Sequence, residues 1–212
     1  MITTGKVISL LFLSVGIFAL IQVILPVLSF KVLELKLLKS DQILVSPLNR
    51  SEVLGVSIKN DVDFPYFYSV VERLTPVPYH QFDLSVPSLN LNKITVYVDS
   101  NELALGLAHL SGSALPGEKG NVFISGHSAI PLAAKEVKAY FNKLPEVRKD
   151  DAIFVTVGGT QYSYKVIDIK VVNPKDTSVI IPPDSQGRYI SLMTCVPPGL
   201  NTKRLVVIGK LI

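Results

Sequence analysis

Apolar and polar side chains alternate along short stretches in the second half of the chain, which is typical of half-buried β-strands. The stretches that show this pattern, or a short apolar run of the same kind, are residues 82–91, 93–99, 121–127, 152–157, 161–172, 189–193 and 205–208. Gly158 and Gly159 lie between two of them and fit a hairpin turn. About eight short strands over residues 81–212 predict a mainly β fold, a closed antiparallel eight-stranded barrel.

Helical patterns are few in this region. Residues 102–110 and 131–144 have helical composition, and Pro131 suits a first helical turn while Pro145 limits the second segment. The sequence therefore predicts one or two short helices beside the barrel strands. Residues 173–188 contain three prolines and no regular pattern, which predicts an irregular loop.

The first part of the chain is strongly apolar. Residues 7–30 form a run of 24 residues without a formal charge. As a helix this run would be about 36 Å long, enough to cross a bilayer core. A signal peptide is the alternative, but its apolar core is shorter and ends in a small-residue cleavage site that this run lacks. We therefore predict a transmembrane anchor in residues 1–31, a proline-punctuated stalk in residues 32–80 and the barrel domain in residues 81–212.

Composition narrows the classes of function. The chain of 212 residues carries a net charge of +4, which suits an anionic membrane or wall surface and is too small to indicate nucleic-acid binding. Its single cysteine excludes an intrachain disulfide and marks a thiol that is buried, paired with another chain or reactive. No cysteine–histidine pair has the spacing of a zinc site, so neither a metal nor another cofactor is predicted.

The lone cysteine is the centre of the candidate chemistry. Cys195 lies at the end of a predicted strand, and Arg204 lies nine residues later at the start of the next strand, so the loop can bring both to one end of a sheet. A fixed positive charge favours a thiolate, or the oxyanion that forms when a thiolate attacks a carbonyl. Lys203 is expected to point to the opposite face. His127 closes a strand-like run and is the candidate acid and base.

Two motifs carry a family resemblance. The strand end SLMTC followed by Arg204, and the upstream strand that ends in Gly126-His127, resemble the sortases, the cysteine transpeptidases of bacterial cell surfaces. The similarity covers residues 82–209. It implies a sortase-like β-barrel in which Cys195 is the nucleophile and His127 and Arg204 are its catalytic partners.

The resemblance also implies a substrate and a location. Sortases cleave a C-terminal LPxTG-like sorting signal through a Cys thioester and transfer the protein to an amine of peptidoglycan or of a pilin lysine. The expected partners are secreted proteins with such signals, the amine acceptor and, through the anchor, membrane lipid. The N-terminal anchors of sortases leave the enzyme on the extracellular face. We follow this analogy, although the lysines after the apolar run would by themselves place the barrel in the cytoplasm. Thr194 is expected to help hold the oxyanion, and Val179, Ile180 and Ile181 are expected either to line the substrate groove or to pack their loop.

Rival interpretations differ in a few residues. The stretch after the cysteine resembles pilin-building, class C sortases, but GHSAIP departs from the GHRGLP that is common there. Residues 63–65 (Asp-Phe-Pro) have the residue types of a class C lid anchor in another order, and an ordinary linker is the favoured interpretation. An L,D-transpeptidase would carry its cysteine in an SHGC-like context. A membrane-tethered barrel used only for binding would need neither His127 nor Arg204. The other histidine of the barrel region, His109, is expected to have a packing or orienting role.

Overall fold

The computed structural model describes most of the barrel region and parts of the N-terminal region. The fully described ranges are residues 77–128, 138–199 and 201–212. The backbone is also described in two strands, Val56–Asn60 and Pro65–Ser69. Nearer the N-terminus the described residues are 8, 11–18, 20, 21, 24, 25, 28, 31 and 32. The chain divides into two compact units, Met1–Ile43 and Leu44–Ile212.

The described residues of the first unit are helical, and their side chains are exposed. No helical segment within these residues meets the length and hydropathy that a bilayer span requires. The predicted anchor, residues 1–31, falls partly outside the described residues.

The second unit is built from β-strands. Their bounds are β1 (Val56–Asn60), β2 (Pro65–Ser69), β3 (Gln81–Val86), β4 (Leu91–Tyr97), β5 (Leu107–His109), β6 (Gly120–Ser125), β7 (Ala152–Val157), β8 (Thr160–Val172), β9 (Arg188–Val196) and β10 (Lys203–Leu211). Short 3-10 helices lie between some of them, at Pro87–Leu89, Leu103–Leu105, Leu144–Glu146 and Thr177–Ile180. Strands β1 and β2 form a separate antiparallel pair. Two residues of the segment that was compared with a class C lid anchor, Asp63 and Phe64, lie outside the described residues.

The other eight strands close into a barrel in the order β10-β8-β7-β3-β4-β5-β6-β9, and β9 pairs with β10 to complete it. The predicted mainly β, closed eight-stranded barrel is confirmed. The prediction that all its strands are antiparallel is wrong, because β4 pairs with β5 and β6 pairs with β9 in parallel. Parallel neighbours require a crossover connection, and the long path from β6 through β7 and β8 to β9 supplies one.

One barrel strand, β5, comes from a segment that was predicted as a helix. Residues 102–110 contain only the short 3-10 helix Leu103–Leu105, and Gly106 then adopts a φ of +142° that a helix excludes. The next three residues form β5, and all of them are buried. Burial on both faces hides the alternation by which a longer strand is recognised.

The second predicted helix, residues 131–144, lies mostly outside the described residues. In its described end, residues 140–143 form turns, and Leu144–Glu146 is a 3-10 helix that contains Pro145. Pro145 thus lies within a short 3-10 helix, and the described residues before it, 138–143, are not helical.

Both faces of β9 and β10 are buried. One face lines the barrel interior, where a methyl group added at Gly209 would lie 2.9 Å from Ile190 of β9 and 3.4 Å from Ile153 of β7. The other face belongs to an apolar group that we call the outer cluster: Leu110, Phe123, Val179, Tyr189, Met193, Val206 and Ile208. Val179 comes from residues 173–187, here named the β8–β9 loop. This loop therefore covers the outside of the barrel, on strands that carry the candidate catalytic residues.

Candidate active site

Cys195 and Arg204 are direct partners in the antiparallel pair of β9 and β10. Side chains alternate along a strand, so Cys195 shares a face with Met193, and Arg204 shares a face with Val206. Both of these neighbours belong to the outer cluster. The thiol and the guanidinium therefore lie side by side on the outer face of the barrel, as the sequence pattern predicts.

Arg204 is held in place by its backbone surroundings. Only 2% of its surface is exposed, and one guanidinium nitrogen, Nη1, donates to the carbonyl oxygens of Asn201 at 3.1 Å and Lys203 at 3.0 Å. Lys203, by contrast, reaches outward, and its Nζ donates to Asn173 Oδ1 at 2.7 Å. Adjacent residues thus place one cation beside the thiol and the other at the surface, as strand alternation requires.

His127 approaches the same end of β9 from the opposite side. The last parallel pair of β6 and β9 joins Ser125 to Met193, and the Gly126 N–H then donates to the Met193 carbonyl at 3.1 Å. Two residues beyond this pair lie His127, after the end of β6, and Cys195, on β9. The register therefore brings His127, Cys195 and Arg204 into one row across three adjacent chain segments.

Close packing at Gly126 fixes the approach of His127. A methyl group added at Gly126 would lie 2.5 Å from Leu107 Cδ2 and 2.8 Å from Phe141 Cδ2, distances that no real contact allows. The backbone N–H of Phe141 also donates to the His127 carbonyl at 3.1 Å. A side chain at position 126 would not fit, so glycine is required here. The backbone of His127 is thus fixed by the packing of the preceding residue and by the hydrogen bond from Phe141.

The hydroxyl of Thr194 is used to join β9 to the end of β6. It donates to the Gly126 carbonyl at 2.8 Å, and Thr194 is 1% exposed. By strand alternation this side chain lies on the face opposite to that of Cys195. The predicted oxyanion contact from Thr194 would therefore have to come from its backbone. The Thr194 side chain instead positions Gly126, the residue before His127.

Burial controls the protonation of the thiol and the imidazole. It raises the pKa of the Cys195 thiol, against the opposing effect of the Arg204 guanidinium. It also lowers the pKa of His127. Both shifts favour the uncharged forms, because charge is costly away from water. Near neutral pH the site therefore holds a thiol beside a neutral imidazole, which is the form that can accept a proton.

The three apolar residues predicted to line a groove have different environments. Val179 is 7% exposed and belongs to the outer cluster, and Ile180 packs against that cluster. Ile181 is 45% exposed. Val179 therefore packs the β8–β9 loop onto the barrel, while Ile181 is the member of the three that is most accessible to a ligand.

Asn121 is a residue of this region that sequence reasoning missed. It is 5% exposed, and its side-chain amide donates to the carbonyl oxygens of Ile180 at 3.0 Å and Val179 at 3.4 Å. The sequence did contain a signal for it, a polar residue within an apolar strand. Asn121 lies two positions before Phe123, so the two side chains share the face of the outer cluster.

His109 is a buried structural histidine. Its Nδ1 accepts from the backbone N–H of Asp99 and lies 3.3 Å from the Asp99 carboxylate. Its Nε2 lies 2.9 Å from Ser113 Oγ and 3.0 Å from the Ala114 carbonyl. Both ring nitrogens thus stabilise the segment around β5, in agreement with the predicted packing or orienting role. Across the described residues, no three metal-ligating side chains come together as a site.

Comparisons with known proteins agree with this architecture. The family model described as the sortase domain matches residues 84–212, more than half of the chain. Sortase D of Bacillus subtilis (strain 168) is 28% identical over 131 residues, which are 60% of this chain and 61% of that protein. The chain thus spans about six tenths of the length of this relative.

Solved structures extend the similarity to three dimensions. A lid mutant of sortase A from Corynebacterium diphtheriae has a TM-score of 0.55 at 33% identity, over 63% of this chain and 70% of that one. The pilus-related sortase C of Group B Streptococcus has a TM-score of 0.54 at 32% identity, over 65% of this chain and 69% of that one. Both an A-type and a C-type enzyme therefore resemble this barrel to the same degree. From the family match and the shared barrel we conclude that the chain belongs to the sortase family.

Proposed function

We propose that this protein is a cysteine transpeptidase that cleaves an LPxTG-like sorting signal and joins the released protein to an amine. The observation that carries the proposal is the row formed by His127, Cys195 and Arg204, in which a strand pair places thiol and guanidinium opposite each other. A binding module would have no need to bury an arginine beside a lone cysteine, because desolvating a charge is costly.

The first half of the reaction forms a thioester. His127 takes the proton of the Cys195 thiol, and the thiolate attacks the carbonyl carbon of the threonine in the sorting signal. The negative charge that develops on the carbonyl oxygen is stabilised by Arg204 and by backbone N–H groups. The threonine–glycine bond then breaks, and the His127 imidazolium gives its proton to the departing glycine amine.

The second half transfers the acyl group. An incoming primary amine loses a proton to neutral His127 and attacks the thioester carbonyl, and the Cys195 sulfur leaves as a thiolate. The thiolate recovers a proton from the imidazolium, and the product is an amide. The lowered pKa of His127 suits this exchange, since the neutral imidazole is the form that each half of the reaction needs first.

We further propose a membrane-anchored enzyme whose barrel lies on the extracellular face. The support is the run of 24 uncharged residues at positions 7–30 and the orientation common to the family. The acceptor is an amine of peptidoglycan or a pilin lysine. The similarity to a pilus-related sortase C favours including a pilin among the acceptors tested.

The experiment is to incubate the full chain with a panel of sorting peptides and to trap the thioester for mass spectrometry. The chain has a single cysteine, so an acyl group on sulfur can only be on Cys195. We expect the adduct with the wild type, its absence with Cys195→Ala, and loss of labelling by a thiol-directed vinyl sulfone with His127→Ala. An adduct that persists in Cys195→Ala would contradict the mechanism, and labelling that is independent of His127 would favour a non-catalytic barrel.

A further inference from the structure

The β8–β9 loop begins beside the candidate catalytic arginine. Val172, the last residue of β8, is paired with Arg204, and the next residue, Asn173, accepts the hydrogen bond from Lys203. From there the loop crosses the outer cluster to reach the start of β9. The loop therefore borders the outer face on which Cys195 lies.

Within this loop the 3-10 helix Thr177–Ile180 is held at both ends. At its start the Asp176 carboxylate accepts from the Ser178 N–H at 3.1 Å and from the Ser178 hydroxyl at 2.5 Å. At its end the side-chain amide of Asn121 donates to two successive carbonyl oxygens, those of Val179 and Ile180. The Asp176 contacts are local to the loop, and the Asn121 contacts tie the loop to the barrel.

The orientation of the Asn121 amide follows from its partners. Carbonyl oxygens only accept hydrogen bonds, so the NH₂ group must face them and the amide oxygen must face the other way. Among the residues that the structure describes, this oxygen is buried without a hydrogen-bond partner. A buried acceptor without a partner is unfavourable. The buried amide oxygen makes asparagine an unfavourable choice for the stability of the strand. Its two hydrogen bonds to the β8–β9 loop explain its presence better.

A nearby residue provides the comparison. Ser191 is fully buried on β9, directly opposite Phe123 of the outer cluster, and its hydroxyl is also without a partner among the described residues. Asn121 and Ser191 thus share a face and a degree of burial. Of the two, Asn121 is the one hydrogen-bonded to the β8–β9 loop among the described residues.

We propose that Asn121 is a positioning residue that holds the β8–β9 loop against β6 and thereby shapes the wall of the sorting-peptide groove that leads to Cys195. The proposal rests on the proposed transpeptidase function and adds a residue to it. Because the proposal assigns the loop to the wall of the peptide groove, Asn121 should act on acylation by the sorting peptide. It should have no effect on the later capture of the acyl group by the amine.

The kinetic test compares Asn121→Asp with Ser191→Ala in the full chain. The Asn121→Asp change keeps the size of the side chain and places an oxygen where the two carbonyls need a donor. We expect the KM for the sorting peptide to rise at least about tenfold, with the KM for the amine unchanged. Ser191→Ala should leave both KM values unchanged. An unchanged peptide KM in Asn121→Asp, or an equal loss for peptide and amine, would overturn the proposal.

A second measurement reports on the loop without using activity. Hydrogen exchange of the backbone amides in residues 177–181 should be faster in Asn121→Asp than in the wild type, and unchanged in Ser191→Ala. If Asn121→Asp does not fold, Asn121→Ala carries the same expectations. If the wild type processes no sorting peptide, the proposed function and the kinetic role of Asn121 fail together. Hydrogen exchange then still decides whether Asn121 holds the loop, and equal rates in variant and wild type would exclude that role.

Discussion

Cys195 and Arg204 face each other across the pair of β9 and β10, and the arginine is 2% exposed. The guanidinium is fixed by the carbonyls of Asn201 and Lys203, so its charge stays beside the sulfur. A planar donor group held in this way fits the proposed role of Arg204 at the oxyanion, since a preorganised donor needs no reorganisation during the reaction.

Replacing this arginine by lysine should lower kcat/KM for the sorting peptide about a hundredfold. A lysine ammonium is a point charge on a flexible stem and cannot bond the loop carbonyls and an oxyanion in one plane. Steady-state cleavage of a sorting peptide measures the effect. Lys203→Gln, which changes the adjacent outward-facing cation, should stay within about twofold of the wild type. A near wild-type rate for Arg204→Lys would remove Arg204 from the mechanism.

Thr194→Val should destabilise the fold by about 1–3 kcal/mol, because the Gly126 carbonyl loses its buried donor. Denaturant unfolding of the full chain measures the free energy. Thr194→Ser keeps the hydroxyl and serves as the control, with a smaller loss expected. The valine variant should also react more slowly with the peptide, since the residue before His127 is no longer held. Equal stability of the two variants would show that the hydroxyl bond is unimportant.

Gly126→Ala should cost about 1–3 kcal/mol of unfolding free energy through overpacking against Leu107 and Phe141. Any relaxation must move the backbone that carries His127, so cleavage should fall as well. A double-mutant cycle with Leu107→Val checks the cause, because the shorter side chain removes the closest contact. We expect the double variant to be more stable than the sum of the two single losses predicts. Strict additivity would argue that the clash is relieved elsewhere.

The alkylation rate of Cys195 should rise with pH and reach its midpoint above the usual pKa of a cysteine thiol. Burial raises the pKa of this thiol, so the reactive thiolate forms only at higher pH than in the unfolded chain. Arg204→Gln should move the midpoint further upward, because the arginine lowers the pKa of the thiol. Iodoacetamide labelling followed by mass spectrometry measures both midpoints, with the urea-unfolded chain as reference. A midpoint below that of the unfolded chain would contradict the structure.

Local patterns predicted the strands well where strands are long and turns are short. The hairpin between β7 and β8 is an example, since Val157 pairs with Thr160 around two glycines whose φ values are +53° and +86°. Such turns depend on the backbone freedom of the residues within them. The strand-end positions of Cys195 and Arg204 predicted that these two residues meet, and the resemblance of the two motifs to the sortases added His127.

The failed predictions depended on distant contacts. Residues 107–109 are a strand because they fill the gap between β4 and β6, and three buried residues carry no periodicity that could reveal it. The sequence also contained no sign of the bond from the Thr194 hydroxyl to the Gly126 carbonyl, because the partner lies 68 positions away in the chain. The role of Asn121 depends likewise on carbonyls 58 and 59 positions away.

The amino-acid sequence by itself determined that this protein is mainly β-stranded, since alternation and turn chemistry act between near neighbours. The resemblance of its motifs to the sortases made Cys195, His127 and Arg204 the candidate catalytic residues. Only the tertiary structure decided that β6 runs parallel to β9, which side of β9 each residue faces, and what holds the β8–β9 loop. These features arise from pairing between segments far apart in the chain. Their stability comes from packing and hydrogen bonds that no local pattern encodes.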